Sequence, residues 1–122
     1  TLADSTAVGR PRNTVKACRA LEESGGTSVL VSDEEILDAM RVLGSSEGIF
    51  AEPAAATPVA GVREALSRDI VDEDDTVVVC STGFGLKDTE GAKRATGGVT
   101  RIEPDMDEVD DLYGDEARVD AE

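Results

Sequence analysis

The stretch Thr76-Val77-Val78-Val79-Cys80-Ser81-Thr82-Gly83-Phe84-Gly85-Leu86-Lys87-Asp88 sets an apolar strand directly against a glycine-bearing loop. A continuous β-branched run such as residues 76–80 suits a strand buried on both faces, as in a parallel sheet. In open α/β sheets, ligands collect beyond the carboxyl ends of the strands. Thr82 therefore stands where a hydroxyl meets a ligand, and Gly83 and Gly85 let backbone approach closely or adopt positive φ. The same residues also describe a tight strand-to-helix turn that holds no ligand. The Gly-x-Gly lacks the third glycine of a dinucleotide fingerprint.

Outward from this stretch, the pattern alternates helices and short strands. Residues 13–24 read as a helix with Val15, Cys18 and Leu21 on one face, ended by Gly25-Gly26. Residues 27–31 read as a short strand. Ser32 and Glu35 form a capping box that opens a second helix, whose apolar stripe is Ile36, Leu37, Met40 and Leu43. Residues 44–48 are expected to weaken or interrupt it. A third helix is expected over about residues 57–68, with Pro58 tolerated in its first turn. Residues 69–75 form an acidic linker, 88–95 a short helix, and 99–102 a last strand. From Glu103 the chain is strongly acidic, and its last eight residues are expected to be frayed and solvated. Alternation of this kind predicts an α/β fold with a parallel sheet. Three strands are few for an independent sheet, which favours a piece of a larger domain.

Composition narrows the function. The 122 residues carry 27 acids against 12 bases, no histidine, and a formal charge of −15. Such a surface repels phosphate backbones and argues against nucleic-acid binding. It also destabilises the compact state by self-repulsion unless salt screens it, and at about 1 M salt the screening length falls to about 3 Å. Nine arginines and three lysines on an acid-rich background fit a salt-loaded cytoplasm, and a halophilic source is expected. No apolar run is long enough to span a bilayer and no signal peptide is evident, so no membrane partner is expected. Cys18 and Cys80 lie in apolar contexts and read as small buried hydrophobes. Without histidine, catalysis falls to carboxylates, hydroxyls, lysines or a cofactor.

Two further stretches carry candidate chemistry. In Glu47-Gly48-Ile49-Phe50-Ala51-Glu52-Pro53-Ala54-Ala55-Ala56, Glu52 is a lone carboxylate among apolar residues. It is either a buried functional acid or a loop carboxylate capping the following helix. In residues 1–13, small residues around Ala3 precede Arg10 and Arg12. These arginines either line an anionic site or pair with surface acids.

Taken in order, Ala3-Asp4-Ser5, Gly9-Arg10-Pro11-Arg12-Asn13, Val31-Ser32-Asp33-Glu34-Glu35-Ile36-Leu37, Glu47-Gly48-Ile49-Phe50-Ala51-Glu52-Pro53-Ala54 and Thr82-Gly83-Phe84-Gly85-Leu86-Lys87-Asp88 resemble the threonine synthase family. That family lies within the tryptophan-synthase-β-like (fold type II) pyridoxal phosphate enzymes. The resemblance covers residues 1–104, and the last motif is its most specific part. It implies pyridoxal 5'-phosphate as cofactor and O-phosphohomoserine, a small amino-acid substrate, converted with water to threonine and phosphate. It implies that residues 1–104 form the C-terminal part of the cofactor domain, with an acidic segment over 105–122. It places Thr82 at the pyridine nitrogen and Gly83 beside the cofactor. Ala3 and Glu52 fall on the substrate side or behind the cofactor contacts.

Two elements of the family are not found: the lysine of a Ser-Phe-Lys-Asp-Arg type segment that holds the cofactor as a Schiff base, and the loop that cradles its phosphate. An N-terminal segment of the same cytoplasmic enzyme is the expected partner, and the resemblance allows a homodimer once complete. The isolated chain is then expected to be inactive. Phe84 stands where relatives carry His or Asn, and Ala55 where Gly or Ser is common. Glu-Pro-Ala motifs also occur in threonine and serine dehydratases. A dehydratase-like or cysteate-synthase-like enzyme, or a non-catalytic paralogue that binds a partner chain, is the alternative.

Overall fold

The computed structural model describes residues 1–114 and consists of helices joined by extended segments. Five α-helices follow in order: α1 Thr14–Ser24, α2 Asp33–Glu47, α3 Pro53–Ser67, α4 Thr89–Thr96 and α5 Met106–Tyr113, with short 3₁₀ turns at Asp4–Thr6 and Gly85–Lys87. The expected last-eight-residue tail lies outside the described residues.

The capping box forms as its spacing requires. The Glu35 amide donates to Ser32 Oγ at 3.3 Å, and the Ser32 amide donates to Glu35 Oε2 at 2.6 Å. Ile36 and Met40 are buried, with Leu37 and Leu43 half-buried beside them. The helix does not break at Gly44. A single interior glycine costs only about 1 kcal/mol, and α2 continues to Gly48, whose φ of 66° ends it with the Ile49 amide donating to the Leu43 carbonyl at 3.0 Å.

Helix α3 starts four residues earlier than its pattern predicts. Pro53 takes the first helical position, where its fixed φ and missing N–H cost nothing. Pro58 therefore falls inside the helix rather than in its first turn. Ala55, Ala56 and Ala60 of α3 pack on Ile36, Ala39 and Met40 of α2, and small side chains bring the two helices close. Ala3, Ala51 and Ala95 complete the cluster, so seven of its nine buried members are alanines. Helix α4 begins one residue later than expected, at Thr89, and is capped by Asp88, whose carboxylate accepts from the Gly91 amide at 2.9 Å. It leans on α2 through Arg41, whose Nε donates to the Ala95 carbonyl at 2.5 Å.

The expected strands are not formed among the described residues. Residues 27–31, 76–80 and 99–102 are extended but unpaired, and one isolated antiparallel bridge joins Ala51 to Phe84. A strand exists only with a neighbour that satisfies its N–H and C=O groups, and no neighbour is supplied here. The consequence is a large uncovered apolar inventory: Leu30 is 92% exposed, Val78 86% and Val99 84%. Cys18 and Cys80, expected to be buried, are both exposed. The Val15-Cys18-Leu21 face of α1 has no buried member for the same reason. Helix α5 was hidden by its acidity; Asp105 caps it by accepting from the Asp107 amide at 3.1 Å.

Two carboxylates at the start of α2 are held below their ordinary values of 3.8 and 4.5. For Asp33 the main cause is the Thr1 hydroxyl, 2.5 Å from Oδ1, helped by the Leu2 amide at 3.0 Å. For Glu35 it is the Ser32 amide, then the Ser32 hydroxyl. A depressed folded pKa means that the stabilisation is complete above the unfolded pKa and is lost as pH falls through the folded one. In an NMR pH titration, the Leu2 and Ser32 amide shifts, whose N–H groups donate to Asp33 and Glu35, are expected to move with midpoints below 3.8 and 4.5. Midpoints at or above those values would show that the two caps do not hold in solution.

Candidate active site

Three segments distant in sequence meet at Glu52. Glu52 precedes the first residue of α3 and is the buried charged side chain among the described residues, 5% exposed. Its amide donates to the Gly83 carbonyl at 3.1 Å, and one residue pair further out the Gly85 amide donates to the Phe50 carbonyl at 2.8 Å. These bonds dock the loop after residue 80 along the 50–53 segment. The glycines fit this contact. A β-carbon on Gly83 would overlap the Glu52 carboxylate, and one on Gly85 would overlap the Phe50 ring. One on Gly91 would lie 2.6 Å from Pro53 Cγ. Three glycines thus abut three residues of a single four-residue stretch, a closeness any side chain would prevent.

The carboxylate of Glu52 is compensated. Lys87 Nζ lies 3.1 Å from its Oε2 and 3.3 Å from its Oε1, and donates to Ser5 Oγ at 2.7 Å. The Ser5 hydroxyl lies 3.5 Å from Glu52 Oε2. A cleft of about 230 Å³ opens here, lined by Asp4, Ser5, Glu52, Pro53, Lys87 and Asp88. A larger hollow of about 410 Å³ between α2 and α4 is walled by Met40, Ile49, Phe50, Ala92 and Ala95, with Arg41 as its one charged lining residue. The smaller cleft holds the converging polar groups and is the better candidate, because orientation of a ligand needs such groups.

The residues singled out from sequence fall as follows. Glu52 is buried, and its side chain does not cap α3. Gly83 lies directly against it. Thr82, the preceding residue, is exposed, and its hydroxyl makes no hydrogen bond within the described residues. Ala3 is buried in the alanine cluster; its carbonyl accepts from the Thr6 amide and hydroxyl at 2.9 and 2.8 Å. Phe84 is 60% exposed and sets its ring edge-on to Phe50 at 5.4 Å. Arg10 and Arg12 are exposed and form no ion pair among the described residues. Sequence reasoning missed Lys87 and Ser5 as partners of Glu52. The available signal was a single loop lysine facing the one carboxylate of an apolar stretch.

Residues 1–83 match the family of pyridoxal-phosphate dependent enzymes. The threonine synthase of Methanocaldococcus jannaschii is 43% identical over 106 residues, which is 87% of this chain and 26% of that protein. The threonine synthase of Methanosarcina acetivorans is 46% identical over 90 residues, covering 74% of this chain and 22% of that protein. That of Synechocystis sp. is 40% identical over 116 residues, covering 93% and 30%. The chain therefore spans less than a third of the length of these curated relatives.

Proposed function

The chain belongs to the pyridoxal-phosphate dependent enzyme family, and from that premise we propose that it forms the pyridine-side wall of a threonine synthase. The reaction proposed is the conversion of O-phosphohomoserine and water to threonine and phosphate. One observation carries the reading. Lys87, the Glu52 segment and the Asp4–Thr6 turn converge on one cleft, and Thr82, five residues before Lys87 in the same loop, is exposed with no hydrogen-bond partner among the described residues. Similarity to several threonine synthases supports the choice of reaction.

The residues present fit the cofactor's ring. The resemblance assigns the ring nitrogen to the neutral Thr82 hydroxyl, and the Glu52 carboxylate, engaged by Lys87 and Ser5, does not compete for that role. When bound, the cofactor supplies an electron sink for carbon-centred negative charge. A hydroxyl stabilises a protonated ring nitrogen less than a carboxylate does, which keeps that sink mild and favours elimination and replacement at the β and γ carbons over transamination. Gly83 keeps the loop low against Glu52, and Ala3 packs the Ser5 turn into the alanine cluster.

Residues 27–31 and 76–80 are proposed as parallel strands of a sheet completed by the segment that carries the cofactor lysine. Residues 1–104 would then be the C-terminal part of the cofactor domain, followed by an acidic segment over 105–122. No helix among the described residues is long and apolar enough to cross a membrane. A cytoplasmic, salt-rich setting is proposed, supported by ion pairs that, among the described residues, engage only Asp38, Glu52, Glu64 and Glu90 against a charge of −15. A homodimer is proposed for the assembled enzyme.

The test is an assay of the chain together with its lysine-bearing complement and pyridoxal phosphate. Phosphate release from O-phosphohomoserine with formation of threonine is expected. Release of ammonia from threonine without phosphate release would assign a dehydratase instead, and the absence of both activities would reject an enzymatic role.

A further inference from the structure

We infer that Lys87, with Ser5, is a positioning residue: it clamps the buried Glu52 carboxylate and thereby fixes the Thr82-Gly83 loop against α3. The catalytic value of the clamp rests on the Thr82 reading above, while the clamp itself does not.

Glu52 is 6% exposed at its side chain, whereas Lys87 is 62% exposed. A carboxylate taken from water needs a compensating charge or hydrogen bonds. Lys87 supplies both from the solvent side, reaching each carboxylate oxygen within 3.3 Å and Ser5 Oγ at 2.7 Å. The carboxylate sits where a Gly83 β-carbon would be, so the place of Glu52 and the path of the loop are mutually fixed. Lys87 belongs to that same loop, four residues after Gly83, in the Gly85–Lys87 turn. The loop thus ties itself down at both ends: by backbone at Gly83 and Gly85, and by charge at Lys87. Ser5 brings in the Asp4–Thr6 turn as the third member. Thr82 is one bond from the fixed glycine and inherits its position. Lys87 is committed to this contact, which separates it in role from a lysine that carries the cofactor.

The experiment compares Lys87→Met, Lys87→Arg and Thr82→Val in the assembled enzyme. Amide hydrogen exchange is followed at Glu52 and Gly85, whose N–H groups make the two docking bonds, with α2 amides as internal reference. The cofactor absorbance maximum is recorded on the same samples. K87M is expected to speed exchange at Glu52 and Gly85 about fivefold relative to α2, with K87R within about twofold of wild type. K87M is also expected to shift the absorbance maximum in the direction that T82V shifts it. Unchanged exchange in K87M overturns the inference, as does equal acceleration throughout α2 or failure of K87R to restore. Faster exchange in K87M with no spectral shift, while T82V does shift the spectrum, also overturns it. If T82V leaves the spectrum unmoved, the hydroxyl reading falls, and the exchange result alone judges the clamp.

Discussion

Adding the lysine-bearing complement to this chain is expected to slow amide exchange across residues 28–31 and 77–80 by about two to three orders of magnitude, the factor that corresponds to roughly 3–4 kcal/mol of new local stability. None of these residues takes part in the backbone–backbone hydrogen bonds described outside the helices. Val77, Val78 and Val79 are 42%, 86% and 36% exposed, and Leu30 is 92% exposed. Fully burying one such side chain contributes about 1.5–3 kcal/mol, so covering Leu30 and Val78 alone contributes on the order of the required gain before any sheet hydrogen bond is counted. The Val15-Cys18-Leu21 face of α1 offers a second surface for the same complement, but a helix satisfies its own backbone, so its amides should change far less. Exchange that slows in α1 and not in the two extended segments would mean that the partner docks elsewhere and that no sheet forms.

Thr82→Asp is expected to reduce threonine formation in the assembled enzyme by about a hundredfold or more, the scale on which loss of a correctly placed electrostatic partner acts. The substituted carboxylate would hold a ring nitrogen protonated and deepen the electron sink. Transamination products should therefore rise as threonine falls, and the fall should appear in kcat rather than KM. Thr82 is exposed and makes no hydrogen bond within the described residues, so the substitution should change folding stability by no more than about 0.5 kcal/mol. That separates the chemical effect from unfolding. The balance of products and kcat is read from one time course with O-phosphohomoserine. Wild-type kinetics and product distribution in T82D would remove Thr82 from the site.

What was legible in the sequence was what a segment specifies by itself. Ser32 and Glu35 announced the start of α2, and the stripe from Ile36 to Met40 announced its buried face. Asp88 and Gly97 bound α4 closely to expectation. The three stretches chosen for chemistry do meet: Gly83 and Gly85 permit close contact with Glu52 and Phe50, and the Ser5 hydroxyl joins Lys87 and Glu52. Features that depend on a partner were not legible. Residues 76–80 have the composition of a buried strand, yet burial and pairing are properties of two segments, and the second is not among those described. The third helix was expected only from about residue 57 and not from Pro53, since a proline signals both a boundary and a first helical residue. The acids around Val109 and Leu112 masked the helical spacing of α5. The Lys87–Glu52 contact spans 35 residues and follows no periodicity, so only the folded chain reveals it.

The most direct measurement is the distance between Thr82 Oγ and the cofactor ring nitrogen in a crystal structure of the assembled enzyme with pyridoxal phosphate. A separation of about 2.7–3.2 Å, the range of a hydrogen bond, is predicted. A ring nitrogen bonded to a carboxylate, or a Thr82 hydroxyl turned toward bulk solvent with the ring bound on another wall, would contradict the assignment.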